Sequence, residues 1–284
     1  MPVVAFRMRI APISLPGTPP SFSPSDIEVP VNDKAVLSKV PAVTLGFWII
    51  KVLATTLGET GGDSVTMSWL GETTAHPNPN GYLIGTAIFL LALVVFVVLQ
   101  IAAKRFHPFL YWATIIASTT AGTTMADFAD RSLGIGYAGG STVLLACVLI
   151  CLAVWYWSEG TVAVETVSRP RVEVFYWATI TFSQTLGTAL GDWVAAAPDE
   201  DPPGMGLGYE LGAVVFGGAL LIIAALYFWT QISRVLLFWA AFILTRPLGA
   251  TVGDFLDKPY DHGGLNLSRP IASAALAVAI ILLV

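Results

Sequence analysis

The sequence predicts an all-α polytopic membrane protein with eight transmembrane helices, arranged as four parallel two-helix repeats. Hydrophobic residues make up 55% of the chain and charged residues only 12%, a composition typical of proteins embedded in lipid. In addition, a Trp followed by Gly ten residues later and by Asp fifteen residues later occurs four times, at intervals of 64, 65 and 62 residues. Such a period indicates one unit repeated four times. The sets are Trp48–Gly58–Asp63, Trp112–Gly122–Asp127, Trp177–Gly187–Asp192 and Trp239–Gly249–Asp254.

The predicted helices follow from the apolar segments, since a spanning helix needs about 20 mostly apolar residues. Residues 1–40 contain seven prolines and no long apolar run, so we predict a disordered tail there and a transmembrane domain over 41–284. We expect helices at about 41–60, 82–103, 108–129, 137–158, 172–193, 209–231, 235–256 and 265–284. Each consecutive pair forms one repeat, with limits at about 41–103, 108–158, 172–231 and 235–284.

Orientation follows from the distribution of Lys and Arg, which accumulate in cytoplasmic loops. Basic residues are more frequent on one predicted side of the membrane than on the other, where acidic residues are common. The rule predicts a multi-pass protein of the inner (plasma) membrane with both termini in the cytoplasm and the Asp-bearing helix ends facing outward. The first side carries Lys34, Lys39, Lys104, Arg105, Arg169, Arg171 and Arg234, and the second carries Arg131, Lys258 and Arg269.

The repeats are predicted to be parallel, because a unit of two spans always begins on the same side of the membrane. Parallel repeats are related by an axis along the membrane normal. The four Asp therefore lie at one depth, either around a common axis or paired two by two. Each Asp also falls near a helix C-terminus, where the helix dipole repels an anion unless a cation offsets it. The Gly five residues earlier is a candidate helix break that would free carbonyl groups to bind an ion.

A polar stripe leads to each Asp, because residues four apart share one face of a helix. Lipid rejects such a face, so we expect it to point inward. The stripes carry Glu59 and the four Asp against Lys51 and Arg246, a formal charge of minus three. Carboxylates with hydroxyl and amide neighbours suit hard cations, which take oxygen ligands. The stripes are Lys51–Thr55–Glu59–Asp63, Ile115–Thr119–Thr123–Asp127, Ile180–Gln184–Thr188–Asp192 and Phe242–Arg246–Ala250–Asp254.

The four Trp–Gly–Asp units resemble the DUF347 repeat family of bacterial multi-spanning membrane proteins. The resemblance covers about residues 41–284, nearly the whole chain outside the tail. It implies an architecture of four two-helix repeats. That family has no assigned activity, so the resemblance implies no mechanism.

The predicted function is an integral membrane transporter or channel for a small cation, such as a divalent metal or a proton. The hypothesis makes the four Asp the metal-coordinating or proton-exchanging groups, with Glu59 as an added ligand. Lys51 and Arg246 would act as internal counter-charges, and His76 and His262, in loops, are candidates for metal capture. The residues expected to coordinate are Asp63, Asp127, Asp192 and Asp254, and those expected to line the route are Thr55, Thr119, Thr123, Gln184 and Thr188.

Two alternatives stay open at this point. The acids can serve only to hold the repeats together in a non-transporting membrane scaffold or sensor, or the protein can transport a small organic solute.

The sequence contains no Walker loop, dinucleotide fingerprint, HExxH or GxSxG motif, so we predict that it is not an enzyme and needs no cofactor. A net charge of −5 without a basic patch disfavours nucleic-acid binding. The expected partners are the lipid bilayer and a small cation, and the oligomeric state stays open.

Overall fold

The fold is entirely helical in a computed structural model that describes residues 38–72, 80–260 and 263–284, and no β-strand occurs in these ranges. Two π-helical turns, Ser64–Trp69 and Phe128–Ser132, directly follow the first and third helices, and a 3₁₀ turn at Val164–Thr166 precedes the fifth. The helices are α1 Leu45–Asp63, α2 Gly81–Ala102, α3 Pro108–Asp127, α4 Tyr137–Glu159, α5 Pro170–Ala195, α6 Gly208–Trp229, α7 Arg234–Asp257 and α8 Arg269–Leu283.

The even-numbered helices and the odd-numbered helices differ in what they expose. Helices α2, α4, α6 and α7 are long and apolar enough to cross a membrane. Of these, α2, α4 and α6 present rows of large aliphatic side chains at the surface, including Leu91, Ile150 and Leu221. Exposed apolar surface of this extent is typical of a face that meets lipid. Helices α1, α3, α5 and α7 carry the polar stripes, and α8, with 15 residues, is shorter than the roughly 20 that a span requires.

The odd-numbered helices form a closed inner ring in which α1 packs on α3, α3 on α5, α5 on α7, and α7 back on α1. The even-numbered helices pack outside this ring, each against the odd helix that follows it in the chain. Thus α2 packs on α3, α4 on α5 and α6 on α7, while α8 packs on α1. Each repeat therefore contributes its second helix to the next repeat, and the last repeat closes the circle on the first.

The repeated glycines lie where neighbouring inner helices approach closely. A Cβ atom on Gly122 would lie 2.8 Å from the backbone carbonyl carbon of Gln184 in α5, and the other three repeat glycines face the next helix of the ring in the same way. Small residues permit this approach between membrane helices. The four inner helices run unbroken through the glycines. The expected helix break is therefore wrong, because the missing Cβ serves packing and not unwinding.

The segment before α1 is attached to the end of the bundle where α2 ends and α5 begins. Lys39 Nζ donates to the carboxylate of Glu173 at 2.6 Å and to the carbonyl of Ile101 at 3.1 Å. Ser38 Oγ donates to the carbonyl of Val164. Residues 1–37 of the predicted tail, and the two candidate metal-capturing histidines, His76 and His262, lie outside the described residues.

Candidate ion-binding site

Equivalent residues of the four repeats stack in layers inside the helix ring. A step of four residues advances a helix by about 6 Å, so the stripes predicted from sequence become successive layers of four side chains. All of these residues are buried, which confirms that the stripes face inward. From the N-terminal ends of the inner helices, the layers are Phe47, Tyr111, Tyr176 and Phe238; Lys51, Ile115, Ile180 and Phe242; Thr55, Thr119, Gln184 and Arg246; Glu59, Thr123, Thr188 and Ala250; and Asp63, Asp127, Asp192 and Asp254.

The first layer is aromatic and closes one end of the ring. The hydroxyl groups of Tyr111 and Tyr176 hydrogen bond to each other at 2.6 Å, and the rings of Phe47 and Phe238 lie 6.2 Å apart. The repeated Trp residues pack beside this layer, for example Trp112 with its ring 5.5 Å from that of Phe47. Aromatic pairs at these distances add to the stability gained from burial. The Trp of the repeat is therefore part of a cluster of aromatic side chains at this end of the ring.

Lys51 in the second layer is a buried cation that pairs with no carboxylate in the described part of the chain. Its side chain is fully buried, and its Nζ lies 4.2 Å from the centre of the Phe242 ring. A cation over an aromatic face is attracted by the ring quadrupole. The nearest acid of its own stripe, Glu59, lies eight residues, or about 12 Å, further along the same helix.

Arg246 joins all four inner helices through one nitrogen atom. Its Nη2 donates to Glu59 Oε2 at 2.9 Å, to Thr123 Oγ1 at 2.6 Å and to Thr188 Oγ1 at 2.5 Å. Arg246 and Glu59 are nearly inaccessible, with side-chain exposures of 0% and 3%. A charged pair this deeply buried is strongly destabilising to break, because the remaining charge keeps its desolvation penalty.

The four Asp are paired two by two, each pair joined by one cation from the residue four positions after an Asp. Lys258 Nζ lies 2.7 Å from Asp63 Oδ2 and 3.0 Å from Asp254 Oδ1, which links the first and fourth repeats. Arg131 joins the second and third repeats, with its Nη2 3.1 Å from Asp192 Oδ2 and its Nε 3.4 Å from Asp127 Oδ1. The sequence left open an arrangement around a common axis or in pairs, and the structure combines them, since the Asp form one layer of the ring and are bridged in two pairs. These cations also offset the unfavourable placement of the Asp at helix C-termini.

Three carboxylates come close enough together to share one metal ion. Glu59, Asp63 and Asp254 are all buried, and each offers an oxygen within 4.8 Å of the oxygens of the other two. Asp63 Oδ1 is a buried oxygen with no hydrogen-bond donor among the described residues. Asp127 and Asp192 do not belong to this group, since they lie with Arg131 on the other side of the ring. We call Glu59, Asp63 and Asp254 the three-carboxylate group.

A family model described as Repeat of Unknown Function (DUF347) matches four segments of the chain, 46–106, 110–161, 175–233 and 237–284. The chain belongs to the DUF347 repeat family. Each matched segment covers one inner helix and the outer helix that follows it. The family repeat is therefore one odd helix of the ring plus the even helix that it contributes to the next repeat. Comparisons with curated proteins and with solved structures find no match.

In this DUF347 protein, further charged residues contribute to the site. They lie beyond the last residue of each predicted stripe. The fourth step of four residues after each Lys51-layer position reaches Met67, Arg131, Ala196 and Lys258, so cations occur only in the second and fourth repeats. Buried acids occur in the same two repeats, at Asp130 and Asp257, and Arg269 lies 3.4 Å from Asp257. Extending the stripe by one more step would have found the two bridging cations. Adding Asp130, Arg131, Asp257, Lys258 and Arg269 changes the formal charge of the site from minus three to minus two.

Two titratable groups just beyond the helix ends, Asp130 and Lys258, both have raised pKa values, with opposite consequences for their charge. Burial raises the pKa of Asp130 to about 7, although the nearby Arg131 guanidinium acts in the other direction. For Lys258, burial acts to lower the pKa, but the carboxylates of Asp254 and Asp63 outweigh it and raise the pKa well above its ordinary value. Lys258 is therefore a permanent positive charge between its two Asp partners at neutral pH.

The residues predicted to line the route are all in the ring, but they differ in their bonding. Thr123 Oγ1 donates to the carbonyl of Gly58 at 3.1 Å, and Thr55 Oγ1 donates to the carbonyl of Thr245 at 3.1 Å. By contrast, Thr119 Oγ1 and both side-chain polar atoms of Gln184 have no hydrogen-bond partner within the described ranges. Leaving a buried polar group unpaired costs about 1–3 kcal/mol, so these atoms are the ones that a bound ion or water would satisfy.

Proposed function

We propose that this protein is an eight-span transporter of a small cation, with the three-carboxylate group as the cation site. It lies in the inner membrane with both termini in the cytoplasm, so that the site faces the outer side. The observation that carries the proposal is the convergence of three buried carboxylates, within 4.8 Å of one another, at the end of a polar column inside the ring. Hard divalent cations such as Mg²⁺ or Mn²⁺ are bound through oxygen ligands of this kind.

In this proposal, Lys258 competes with the transported ion for the carboxylates of Asp63 and Asp254. Its ammonium group now compensates Asp63 and Asp254, and an arriving divalent cation takes over that compensation. The displaced lysine remains close to Asp257, whose carboxylate influences it electrostatically. Exchange between an internal and a transported cation avoids leaving buried carboxylates without a counter-charge, which would be costly.

The aromatic layer favours a carrier over an open channel. The Tyr111–Tyr176 hydrogen bond and the packed Phe47 and Phe238 rings close the end of the ring opposite the three-carboxylate group. An ion that has reached the Glu59 layer therefore needs a rearrangement of the inner helices before it can leave on the other side. Transport through parallel repeats by alternating closure of the two ends is a common solution in membrane carriers.

A structural role is the second candidate, and the paired ion bridges favour it. Lys258 joins the fourth repeat to the first, and Arg131 joins the second to the third. In a scaffold or sensor, these bridges would lock the ring and bind no substrate. The two roles differ in what neutralising the acids does, since a scaffold loses stability without any change in ion content.

The test compares two matched double variants that each remove one Asp pair. Cells expressing wild type, an empty vector, Asp63→Asn/Asp254→Asn or Asp127→Asn/Asp192→Asn, at equal membrane levels, are analysed for magnesium, manganese, calcium, iron and zinc by mass spectrometry. We expect wild type to change the content of one metal, the first variant to abolish that change, and the second variant to retain most of it.

Each other outcome contradicts a part of the proposal. Equal metal contents in wild-type and empty-vector cells would exclude transport of these metals. Loss of the change in the Asp127/Asp192 variant alone would place the site on the Arg131 side of the ring. Lower melting temperatures in both variants without any metal change would support the scaffold.

A further inference from the structure

The middle of the helix ring contains one more basic residue than acidic residues. Lys51, Arg246 and Glu59 are the charged residues of the three central layers, and together they carry a formal charge of plus one. Arg246 is bonded to Glu59, so Lys51 is the basic residue of these layers that has no acidic partner among the described residues. A charge buried without a counter-charge is costly, and the Phe242 ring beside Lys51 supplies only part of the compensation, since cation–π contacts contribute about 0.5–2 kcal/mol.

Hydrogen-bond donors around this charge are also unused. The ammonium of Lys51 and the Nε and Nη1 atoms of Arg246 have no acceptor in the part of the chain that the structure describes. The same holds for the side-chain amide of Gln184 and the hydroxyl of Thr119, both in the layer next to Lys51. All four side chains are fully buried. The carbonyl oxygen of Gln184 is an unused acceptor in the same layer, but the unused donors outnumber it.

We propose that these two layers bind a small monovalent anion, such as chloride, held by Lys51 with Arg246, Gln184 and Thr119. One negative charge brings the formal charge of the three central layers to zero, and it gives the unused N–H and O–H groups an acceptor. This site adjoins the three-carboxylate group through the Arg246–Glu59 pair, but the Asp layer of that group lies 12 residues, or about 18 Å, further along α1 from Lys51.

The surroundings favour a small, singly charged and weakly hydrated anion. Ile115, Ile180 and Phe242 complete the Lys51 layer, and such apolar walls cannot replace the hydration shell of sulfate or phosphate. A monovalent ion also matches the single excess charge. The aromatic layer separates this position from the nearer end of the ring.

Thermal unfolding of the purified protein in detergent tests the anion site. The melting temperature is measured against increasing sodium chloride or sodium bromide, with sodium gluconate keeping the ionic strength constant. Binding to the folded state raises the melting temperature in a saturable way, and we expect this rise for wild type and its loss in Lys51→Met. Arg171→Met, which changes an exposed arginine, serves as the control and keeps the response.

A direct readout separates anion binding from general effects of salt. Line broadening in ³⁵Cl nuclear magnetic resonance is expected with wild type and absent with Lys51→Met. The variant Asp63→Asn/Asp254→Asn is expected to keep the chloride response whether or not it transports cations, so this proposal and the cation site can fail separately. Equal chloride responses in wild type and Lys51→Met, or no chloride response in wild type, would overturn the anion site.

Discussion

Replacing Arg246 by Met removes the guanidinium group that bonds to the other three inner helices at the centre of the ring. Its Nη2 is bonded to Glu59 and to hydroxyls from α3 and α5, so one substitution removes contacts between all four inner helices. The methionine fills much of the same space with an apolar side chain. Glu59 is then buried without the guanidinium that compensated it.

The expected loss of stability is large because both partners are almost completely buried, at 0% and 3% side-chain exposure. Removing one partner of a buried ion pair costs about 3–5 kcal/mol. For a domain of about 250 residues, each kcal/mol corresponds to about 2–4 °C in melting temperature, so we expect a decrease of about 6–20 °C. The double variant Glu59→Gln/Arg246→Met is expected to recover part of this loss, because no charge is then left unpaired.

The assay is thermal unfolding in detergent, followed by tryptophan fluorescence and by the fraction that stays monodisperse after heating. Wild type, both single variants and the double variant form a double-mutant cycle, which isolates the coupling between the two side chains. An Arg246→Met protein that melts within about 2 °C of wild type, or a double variant less stable than Arg246→Met, would refute the assignment of the pair.

Three further predictions concern packing, pH and the segment before α1. Gly122→Ala should lower the melting temperature because its Cβ would lie 2.8 Å from neighbouring backbone, whereas Gly218→Ala, with nothing within 4 Å, should be neutral or slightly stabilising. Because the pKa of Asp130 is raised to about 7, its stabilising contribution is complete below pH 4 and is lost as the pH rises through 7, so Asp130→Asn should reduce the difference between melting temperatures at pH 5 and pH 8. Lys39→Met should lower the melting temperature through the buried Glu173 carboxylate, and Glu173→Gln in the same chain should restore part of it.

The helix positions and their inward faces were predictable because they depend on local periodicity. Apolar runs of about 20 residues locate the helices, and the spacing of four residues places Thr123, Thr188 and the Asp residues on one face of each helix. The common depth of the Asp follows from the parallel repeats. The role of the repeat glycines was not predictable in the same way, because a Gly can permit either a helix break or a close contact.

The identity of each ion-pair partner depended on the tertiary structure. Lys258 bonds Asp63 across 195 residues, and Arg246 bonds Glu59 across 187 residues. These pairs exist because α7 packs on α1 and closes the ring, a contact between the two ends of the repeat array. The sequence contains the same charges, but it does not state which of them face one another.

The sequence by itself determined that this protein consists of four equivalent units with a polar interior ending in acidic groups, because hydrophobic period and repeat spacing are properties of the chain alone. Only the tertiary structure decided that the four Asp are bridged in two pairs and that Lys51 has no acid beside it among the described residues. The physical reason is that a buried charge is compensated by whatever lies within a few ångströms in space, and closure of the ring sets those distances.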